Sequence, residues 1–206
     1  AMVPGRMRWF DRQVDWTGKA VLDLGCAGGF MAEAIAARGA ASVTGIDPAA
    51  EAIRAAQAHA VAGGLDIRYD VGVGEALPYP DAAFDIVVCV DVLEHVSDLQ
   101  KVLEEVARVL KPGGVFLFDT INRNPLARLV TITVAEDILR LLPRGTHDPA
   151  LFIKPAELEA GLRAAGLAPH AGPGLGPRGL TRRGDFVFGP LPGRFIIYMG
   201  KAGKPA

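Results

Sequence analysis

A glycine-rich turn directly after a short apolar run places the strongest constraint on the fold of this 206-residue chain. The run is VLDL at residues 21–24, and Gly25, Gly28 and Gly29 follow it before an apolar-periodic stretch at residues 31–38. Such an order predicts the first strand, turn and helix of a doubly wound parallel sheet. Glycine suits this turn because the backbone adopts conformations that side chains forbid, and because a ligand can approach a bare main chain closely.

The acidic residues around this turn indicate which kind of ligand it holds. Asp47 lies 22 residues after Gly25, at the end of a second predicted strand, where a carboxylate can accept both hydroxyls of a ribose. A dinucleotide site requires GxGxxG, but the third and sixth positions counted from Gly25 are Ala27 and Phe30. Asp23, inside the strand, would repel a phosphate and could hold an ammonium group. The sequence therefore favours S-adenosyl-L-methionine over a nicotinamide dinucleotide.

Strand and helix patterns alternate along the chain, as a parallel α/β sheet requires. We predict strands at residues 20–24, 42–46, 67–69, 84–89, 115–118, 185–188 and 195–199. Helices are predicted at residues 31–38, 49–62 and 99–110, the last with a Ser97–Gln100 capping box, and another begins near Pro155. The predicted fold is a Rossmann-like, doubly wound, mostly parallel seven-stranded sheet. Residues 172–179, rich in glycine and proline, are predicted to form a mobile loop or a lid.

Length and composition agree with one domain over residues 1–206, since half of the residues are apolar. The chain has neither an apolar run of transmembrane length nor a signal-peptide pattern at its start, so we expect a cytoplasmic protein. The net charge of −1 argues against a nucleic-acid partner. The two cysteines, Cys26 and Cys89, fit no zinc spacing. The leading Ala-Met pair suggests a trimmed start, which leaves open a longer native chain.

Five motifs between residues 21 and 114 resemble those of class I S-adenosylmethionine-dependent methyltransferases: VLDLGCAGG, VTGID, EALPYPDAAFDIVVC, VLEHV and VLKPGG. Two further motifs, TINRNP at residues 120–125 and LPRGTHDPALFIKPAEL at residues 142–158, are similar to the ubiquinone-biosynthesis O-methyltransferase family. The resemblance implies an antiparallel last strand, S-adenosyl-L-methionine as cofactor, and a hydroxylated aromatic as acceptor. Within this family the acceptor would be a polyprenyl catechol of quinone biosynthesis.

The same resemblance assigns cofactor contacts to positions that follow the predicted strands. Gly25, Cys26 and Gly28 would contact the methionine part through their backbone, and Gly74 and Glu75 lie where the adenine edge is usually recognised. Class members often carry an aspartate two places before this glutamate, where this chain has Val73. The expected cofactor-binding set is Arg6, Asp23, Gly25, Cys26, Gly28, Asp47, Pro48, Gly74, Glu75 and Val90. Arg6 would hold the cofactor carboxylate, or else it is an ordinary surface arginine.

Methyl transfer to a phenol needs alignment of the acceptor and removal of its proton. A phenol has a pKa of about 10, so reaction near neutrality needs a base or a cation. His95 is the first candidate for the base and His147 is its rival. The resemblance also implies that Asp91, Glu94 and His95 hold a divalent cation such as Mg²⁺. The alternative is that the Glu94–His95 pair only caps the next helix and orients its loop.

An insertion at about residues 121–150 is the predicted acceptor side. Asn122, Arg123 and His147 are expected to bind the acceptor. Residues 126–142 are strongly apolar with interspersed arginines, which fits a tunnel for a prenyl tail or a peripheral contact with an anionic membrane. The same pattern fits a helical pair packed on the core or on a second copy, so both a monomer and a homodimer remain open.

Two other functions compete with O-methylation of a polyprenyl catechol. One is a small-molecule O- or N-methyltransferase of secondary metabolism, and the other is a non-catalytic S-adenosylmethionine-binding protein. The pocket beside Asn122 and His147 discriminates between the two kinds of methyltransferase. A lipid-tailed acceptor needs a long apolar pocket, whereas a small metabolite needs a short polar one.

Overall fold

Eight strands form one sheet in the order β3-β2-β1-β4-β5-β8-β6-β7. The structure is a computed structural model that describes residues 2–138, 145–182, 184 and 186–206, with only the backbone at residues 134–138. The strands are β1 Ala20–Leu24, β2 Ser42–Asp47, β3 Arg68–Val71, β4 Phe84–Cys89, β5 Leu110–Ile121, β6 Ala168–Leu180, β7 Phe186–Leu191 and β8 Ile197–Gly203. The first five pair in parallel, whereas β8 is antiparallel to β5 and to β6, and β7 is antiparallel to β6.

Helices cover both faces of this sheet. They are α1 Val3–Phe10, α2 Phe30–Ala36, α3 Ala50–Ala62, α4 Leu99–Val109, α5 Pro125–Arg128 and α6 Pro155–Ala164. A 3₁₀ turn spans Leu93–His95, and a π-helical segment, Leu129–Ile138, continues α5. The apolar residues of α1, α2 and α3 are buried on one face of the sheet, and those of α4 and α6 are buried on the other. Among the described helices, none has the length and hydropathy that a bilayer span requires.

The predicted fold class, including the antiparallel last strand, is confirmed, but the strand count is wrong because the sheet has eight strands rather than seven. The additional strand is β6, which contains the glycine-rich segment that the sequence predicted as a mobile loop or lid. Its pairing shifts register between Ala171 and Gly174 and again between Pro177 and Gly179, at or beside the prolines that cannot donate to a ladder. At Gly172 a Cβ would lie 2.5 Å from the carbonyl oxygen of Met199, so the close strand contact requires glycine.

Two further details differ from the sequence prediction. Asp98, not Ser97, caps α4, because its Oδ1 accepts a hydrogen bond from the Lys101 amide at 3.0 Å. Helix α1 was not predicted as an element, although Pro4 in its first turn is a typical helix-start residue. Its buried side chains include Met7 and Phe10, which pack on the α2 and α3 side of the sheet.

Candidate active site

A cleft of about 390 Å³ opens at the carboxyl ends of β1, β2 and β3, where a doubly wound sheet binds its ligands. Its volume lies in the range of small-molecule sites. Four of the predicted cofactor residues, Gly25, Pro48, Gly74 and Glu75, line it together. Val92 and His95 line it from the loop after β4. The structure therefore brings the predicted cofactor turn next to the predicted base.

Gly25 cannot be replaced by a larger residue without disturbing the cleft. Its φ is +74°, and a Cβ there would lie 2.1 Å from Cγ2 of Val92. Its amide donates to the Ile46 carbonyl at 2.8 Å, and the Cys26 amide donates to the same oxygen at 3.1 Å. These bonds fix the turn to the end of β2, so that bare backbone faces the cleft.

Asp47 connects the glycine-rich turn to the start of α3. Its Oδ2 accepts from the Ala27 amide at 2.9 Å, and its Oδ1 accepts from the Ala49 amide at 2.9 Å. Ala27 has a φ of +44°, an uncommon value for a residue other than glycine. An ionised carboxylate offers about four acceptor sites, so two remain for the hydroxyls of a ribose.

Asp23 is a fully buried carboxylate beneath the turn, and neither of its oxygens has a hydrogen-bond partner among the described residues. Burial raises the pKa of Asp23 to about 7. A buried charge without a partner is costly, so a cation arriving here would stabilise the ionised form.

Cys26, Gly28 and Val90 do not line the cleft, and the side chain of Glu75, which does line it, is hydrogen-bonded to Ser97. Cys26 is buried beneath the turn, and its Sγ leaves no room for a Cβ at Gly45. Val90 packs against the core on the α1 side of the sheet. Glu75 accepts from the Ser97 amide and hydroxyl at 2.9 and 2.8 Å, and these bonds lower its pKa despite partial burial. Gly28 sits beside the exposed ring of Phe30.

Arg6 reaches from α1 into the sheet, where its guanidinium forms ion pairs with Asp119 and Asp91. Asp119 is buried and also accepts from the Asp91 amide at 2.9 Å, and burial raises its pKa to about 6 against the opposing effect of Arg6. The two carboxylates hold the pKa of Arg6 above its ordinary value although burial acts against the charge. In this structure Arg6 and Asp91 contact each other, and the cofactor contact of Arg6 and the metal ligation by Asp91 stay predictions. The alternative of an ordinary surface arginine is wrong, because Arg6 is buried.

Glu94, His95 and His147 form a cluster at the mouth of the cleft, with one ligand atom from each lying within 4.8 Å of the others. The two imidazole centroids are 5.2 Å apart. Glu94 is buried; its Oε2 accepts from the Thr120 hydroxyl at 2.7 Å, and its Oε1 has no partner among the described residues. Burial raises the pKa of Glu94 to about 8. Burial and the neighbouring His147 lower the pKa of His95 below its ordinary value.

The structure thus brings the rival histidines together, and His147 takes the place in the cluster that the sequence had given to Asp91. Sequence analysis also missed Asp119 and Thr120, two buried polar residues near the end of β5. Their only sequence signal is a polar pair directly after the apolar run at residues 115–118. The structure therefore adds a buried polar layer behind the predicted catalytic loop.

The predicted acceptor residues Asn122 and Arg123 contact protein groups. The side-chain amide of Asn122 donates to the Arg194 carbonyl at 2.6 Å, and its backbone amide donates to the Ile196 carbonyl at 2.7 Å. Arg123 forms an ion pair with Glu157 of α6. These contacts hold the chain after β5 against the segment before β8. Of the predicted apolar segment, residues 139–142 lie outside the described part of the chain.

Comparisons with known proteins agree with this geometry. Residues 22–118 match the family described as a methyltransferase domain. A ubiquinone biosynthesis O-methyltransferase from Pseudomonas entomophila is 49% identical over 166 residues, which are 80% of this chain and 71% of that protein. Two solved structures share the fold. The YcgJ protein from Bacillus subtilis has a TM-score of 0.72 and 21% identity, and the alignment covers 98% of both chains. A SAM-dependent methyltransferase from Aquifex aeolicus has a TM-score of 0.68 and 17% identity, and the alignment covers 97% of this chain and 93% of that one.

Proposed function

Because this chain belongs to the ubiquinone biosynthesis O-methyltransferase family and is an S-adenosylmethionine-dependent methyltransferase, we propose that it methylates a hydroxyl of a polyprenyl catechol. The observation that carries the proposal is the position of His95. This imidazole lines the cofactor cleft and stands beside a second imidazole and a buried carboxyl group, those of His147 and Glu94. A base at the mouth of a sulfonium site is what an oxygen acceptor of high pKa requires.

The cofactor would lie against the backbone of Gly25, with its ammonium group near Asp23 and its ribose hydroxyls on Asp47. Both carboxylates have acceptor capacity that protein groups do not use. The adenine ring would lie between Pro48 and Gly74, in the part of the cleft that Glu75 closes through its bonds to Ser97. This placement directs the sulfonium methyl group toward the loop that carries His95.

Methyl transfer is an in-line displacement, so the acceptor oxygen must lie directly behind the methyl carbon. Positioning supplies about 7 to 11 kcal/mol of such a barrier, and a placed base adds about 10² to 10⁴ in rate. His95 accepts the hydroxyl proton as the new oxygen–carbon bond forms and the carbon–sulfur bond breaks. Since its pKa is lowered, the imidazole is neutral and ready to accept a proton at pH 7.

The cluster of Glu94, His95 and His147 has ligands for a divalent cation, and the family resemblance implies such a cation. One carboxylate and two imidazoles suit Zn²⁺, Mn²⁺ or Fe²⁺ better than Mg²⁺, which prefers oxygen ligands throughout. Glu94, with its unpartnered oxygen, and the two histidines would hold it. With a cation bound, His95 would be a ligand rather than the proton acceptor, and the cation would instead promote loss of the proton by lowering the pKa of the catechol hydroxyl. Asp91 is not included because its carboxylate pairs with Arg6.

Calorimetric titration of the metal-stripped protein with Mn²⁺ and with Mg²⁺ tests this donor set without any turnover. We expect Mn²⁺ to bind more tightly than Mg²⁺, and Glu94→Gln to weaken Mn²⁺ binding at least tenfold. Equal binding of the two ions, or an unchanged Mn²⁺ affinity in the variant, would remove the cation from the proposal.

Transfer of a labelled methyl group from S-adenosylmethionine to a panel of acceptors tests the proposed function. The panel pairs each catechol with the amine and the carboxylic acid of the same ring size. We expect label on catechol oxygen only. Label on the amines or acids instead would favour a methyltransferase of other small metabolites, and cofactor binding without any transfer would favour a binding protein.

A further inference from the structure

A second cleft, of about 280 Å³, lies between α5 and the hairpin that β6 and β7 form. Every described residue that lines it is aliphatic, aromatic, glycine or proline. Its outer walls are Leu126 and Phe195, whose side chains are 47% and 65% exposed. Large apolar groups left open to solvent around a concave surface are typical of a ligand site. The cleft is separate from the cofactor cleft and shares no lining residue with it.

Glycines in the hairpin make this shape possible. A Cβ at Gly176 would lie 2.6 Å from Cδ1 of Leu191, and a Cβ at Gly174 would lie 2.2 Å from the Gly193 carbonyl oxygen. The Gly193 backbone cannot give way easily, so a larger residue at Gly174 would displace the segment between β7 and β8, whereas the end of the Leu191 side chain could move into the cleft. Glycine at these two positions therefore keeps the shape of the cleft wall.

A layer of packed apolar side chains lies between this cleft and the histidine cluster. Ile197 lines the cleft and pairs in register with Ile121 at the end of β5. Ile121 and Phe152 belong to one small buried apolar cluster, against which Ile197 also packs. The Phe152 ring centroid lies 6.3 Å from that of His147, which in turn lies 5.2 Å from that of His95. A tail attached to an acceptor at His95 would follow the surface of this layer to reach the cleft.

We propose that this cleft binds the apolar tail of the methyl acceptor, with the first isoprenoid units between α5 and the β6–β7 hairpin. The proposal rests on the proposed function, which supplies a tailed acceptor at His95. If a carbon atom occupies about the volume of a water molecule, ~30 Å³, the cleft holds roughly nine carbons, or about two five-carbon units. A longer tail would leave between Leu126 and Phe195 toward solvent.

The walls of the cleft favour a hydrocarbon chain over a peptide. The described lining residues offer no polar side chain. The polar backbone groups of a peptide would need hydrogen-bond partners there, whereas a hydrocarbon chain needs none.

A series of catechols that carry zero, one, two or three isoprenoid units tests the proposal, with detergent absent. We expect kcat/KM to rise by at least about tenfold per unit up to two units, because each buried methylene adds to the affinity. The third unit should add less than threefold. Equal kcat/KM values across the series would overturn the proposal.

Two variants and a matched control locate the effect. Leu126→Asp places a charge in the cleft, and Val130→Trp fills it without a charge; both residues line it. Each should lower kcat/KM for the two-unit catechol at least tenfold and leave the tail-less catechol within twofold. Leu129→Asp alters a 51% exposed leucine of the same helical stretch that does not line the cleft, and should leave both acceptors within twofold. If Leu126→Asp and Leu129→Asp behave alike, the cleft does not hold the tail.

Calorimetric titration with geraniol, a free ten-carbon isoprenoid, separates this inference from the proposed function. Binding to the full chain that Leu126→Asp abolishes and Leu129→Asp preserves would support the cleft even if no catechol is methylated. Methylation of the tail-less catechol, without geraniol binding and without a gain from tails, would overturn the cleft and leave the proposed function standing.

Discussion

Asp47 would have a double role at the residue scale, because the carboxylate that orders the protein lies between two residues that line the cofactor cleft, Ile46 and Pro48. Its bonds to the Ala27 and Ala49 amides use one site on each oxygen. The carboxylate would therefore already be oriented before a ribose arrives, and binding would not require the side chain to be reordered. Preorganisation of this kind reduces the entropy that binding costs.

Replacing Asp47 with alanine should weaken S-adenosylmethionine binding by about 1.5 to 3 kcal/mol, the usual contribution of hydrogen bonds to a charged group. Calorimetric titration measures the affinity. Asp66→Ala, which removes an exposed carboxylate from the loop before β3, is the control and should leave the affinity unchanged. An affinity for Asp47→Ala equal to that of the control would contradict the ribose contact.

His95→Gln should reduce kcat by about 10² to 10⁴ while changing cofactor affinity little. Because a base must be unprotonated to act, and because burial lowers the pKa of His95, kcat should rise with pH only below about 6.5 and be level above that value. The variant should lose this rise. His59→Gln changes a surface histidine that pairs with Glu33, and it should keep both the rate and the profile. A wild-type profile still rising above pH 7 would exclude His95 as the base.

At the scale of elements, α1 is joined to the catalytic loop through one side chain. Arg6 pairs with Asp119 of β5 and with Asp91, whose φ of +54° marks a strained position in the loop that precedes His95. The helix therefore does more than cover the core, because its arginine neutralises two carboxylates that hold this loop in place.

Arg6→Met should destabilise the protein by about 3 to 5 kcal/mol, since it leaves a buried carboxylate unpaired. The double variant Arg6→Met with Asp119→Asn should recover a large part of this loss, because a neutral amide needs no cation and can still accept from the Asp91 amide. Urea denaturation compares the variants. A cost below about 1 kcal/mol for Arg6→Met would show that the ion pair with Asp119 contributes little to the stability.

The elements that the sequence predicted well are those whose apolar pattern is local. Strands β1, β2 and β4 are short apolar runs with glycine or acidic residues at their ends, and the structure reproduces them to within a residue. Strand β6 has few of the branched or aromatic residues typical of strands. It is stabilised by its pairing with β7 and β8, which lie later in the chain, so no local pattern could predict it.

The same distinction applies to the candidate site. Gly25 directly follows a predicted strand and Pro48 comes two residues after another, and the carboxyl ends of parallel strands meet at one edge, so the sequence could place both at the cleft. The approach of His147 to Glu94 and His95 depends on how the insertion after β5 folds back, which local patterns do not encode. The sequence could not predict the partners of Arg6 either, because they depend on how β5 lies beside α1.

At the scale of the whole molecule, the carboxyl edge of the sheet concentrates buried acidic groups. Burial raises the pKa of Asp23 to about 7, of Asp119 to about 6 and of Glu94 to about 8. An unfolded carboxyl group has a pKa of about 4, so the folded state binds these protons more tightly. This part of the stability is fully present below about pH 4 and is lost as the pH rises through each folded-state value.

The ligand-free protein should therefore lose stability between pH 6.5 and 8.5. The loss amounts to about 1.4 kcal/mol for each pH unit between the unfolded and the folded pKa of a group, and it ends above the folded value. Over this interval Asp23 should therefore contribute on the order of 1 kcal/mol, and Glu94, with a folded pKa of about 8, on the order of 2 kcal/mol. Carboxyl groups whose pKa is lowered, such as Glu105, act only at acidic pH, and the lowered pKa of His95 has its effect below about 6.5. The pH interval thus isolates the buried carboxyl groups.

Urea denaturation at pH 6.5, 7.5 and 8.5 measures this loss, and Asp23→Asn should reduce it because an amide does not ionise. Saturating S-adenosylmethionine should reduce the loss as well, since its ammonium group would stabilise the ionised Asp23. In Asp23→Asn the cofactor should have a smaller effect on the pH slope. A loss of stability from pH 6.5 to 8.5 that is the same in the wild-type protein and in Asp23→Asn would contradict an uncompensated carboxyl group beneath the turn. If the cofactor does not change how the stability varies with pH, its ammonium group does not lie near Asp23.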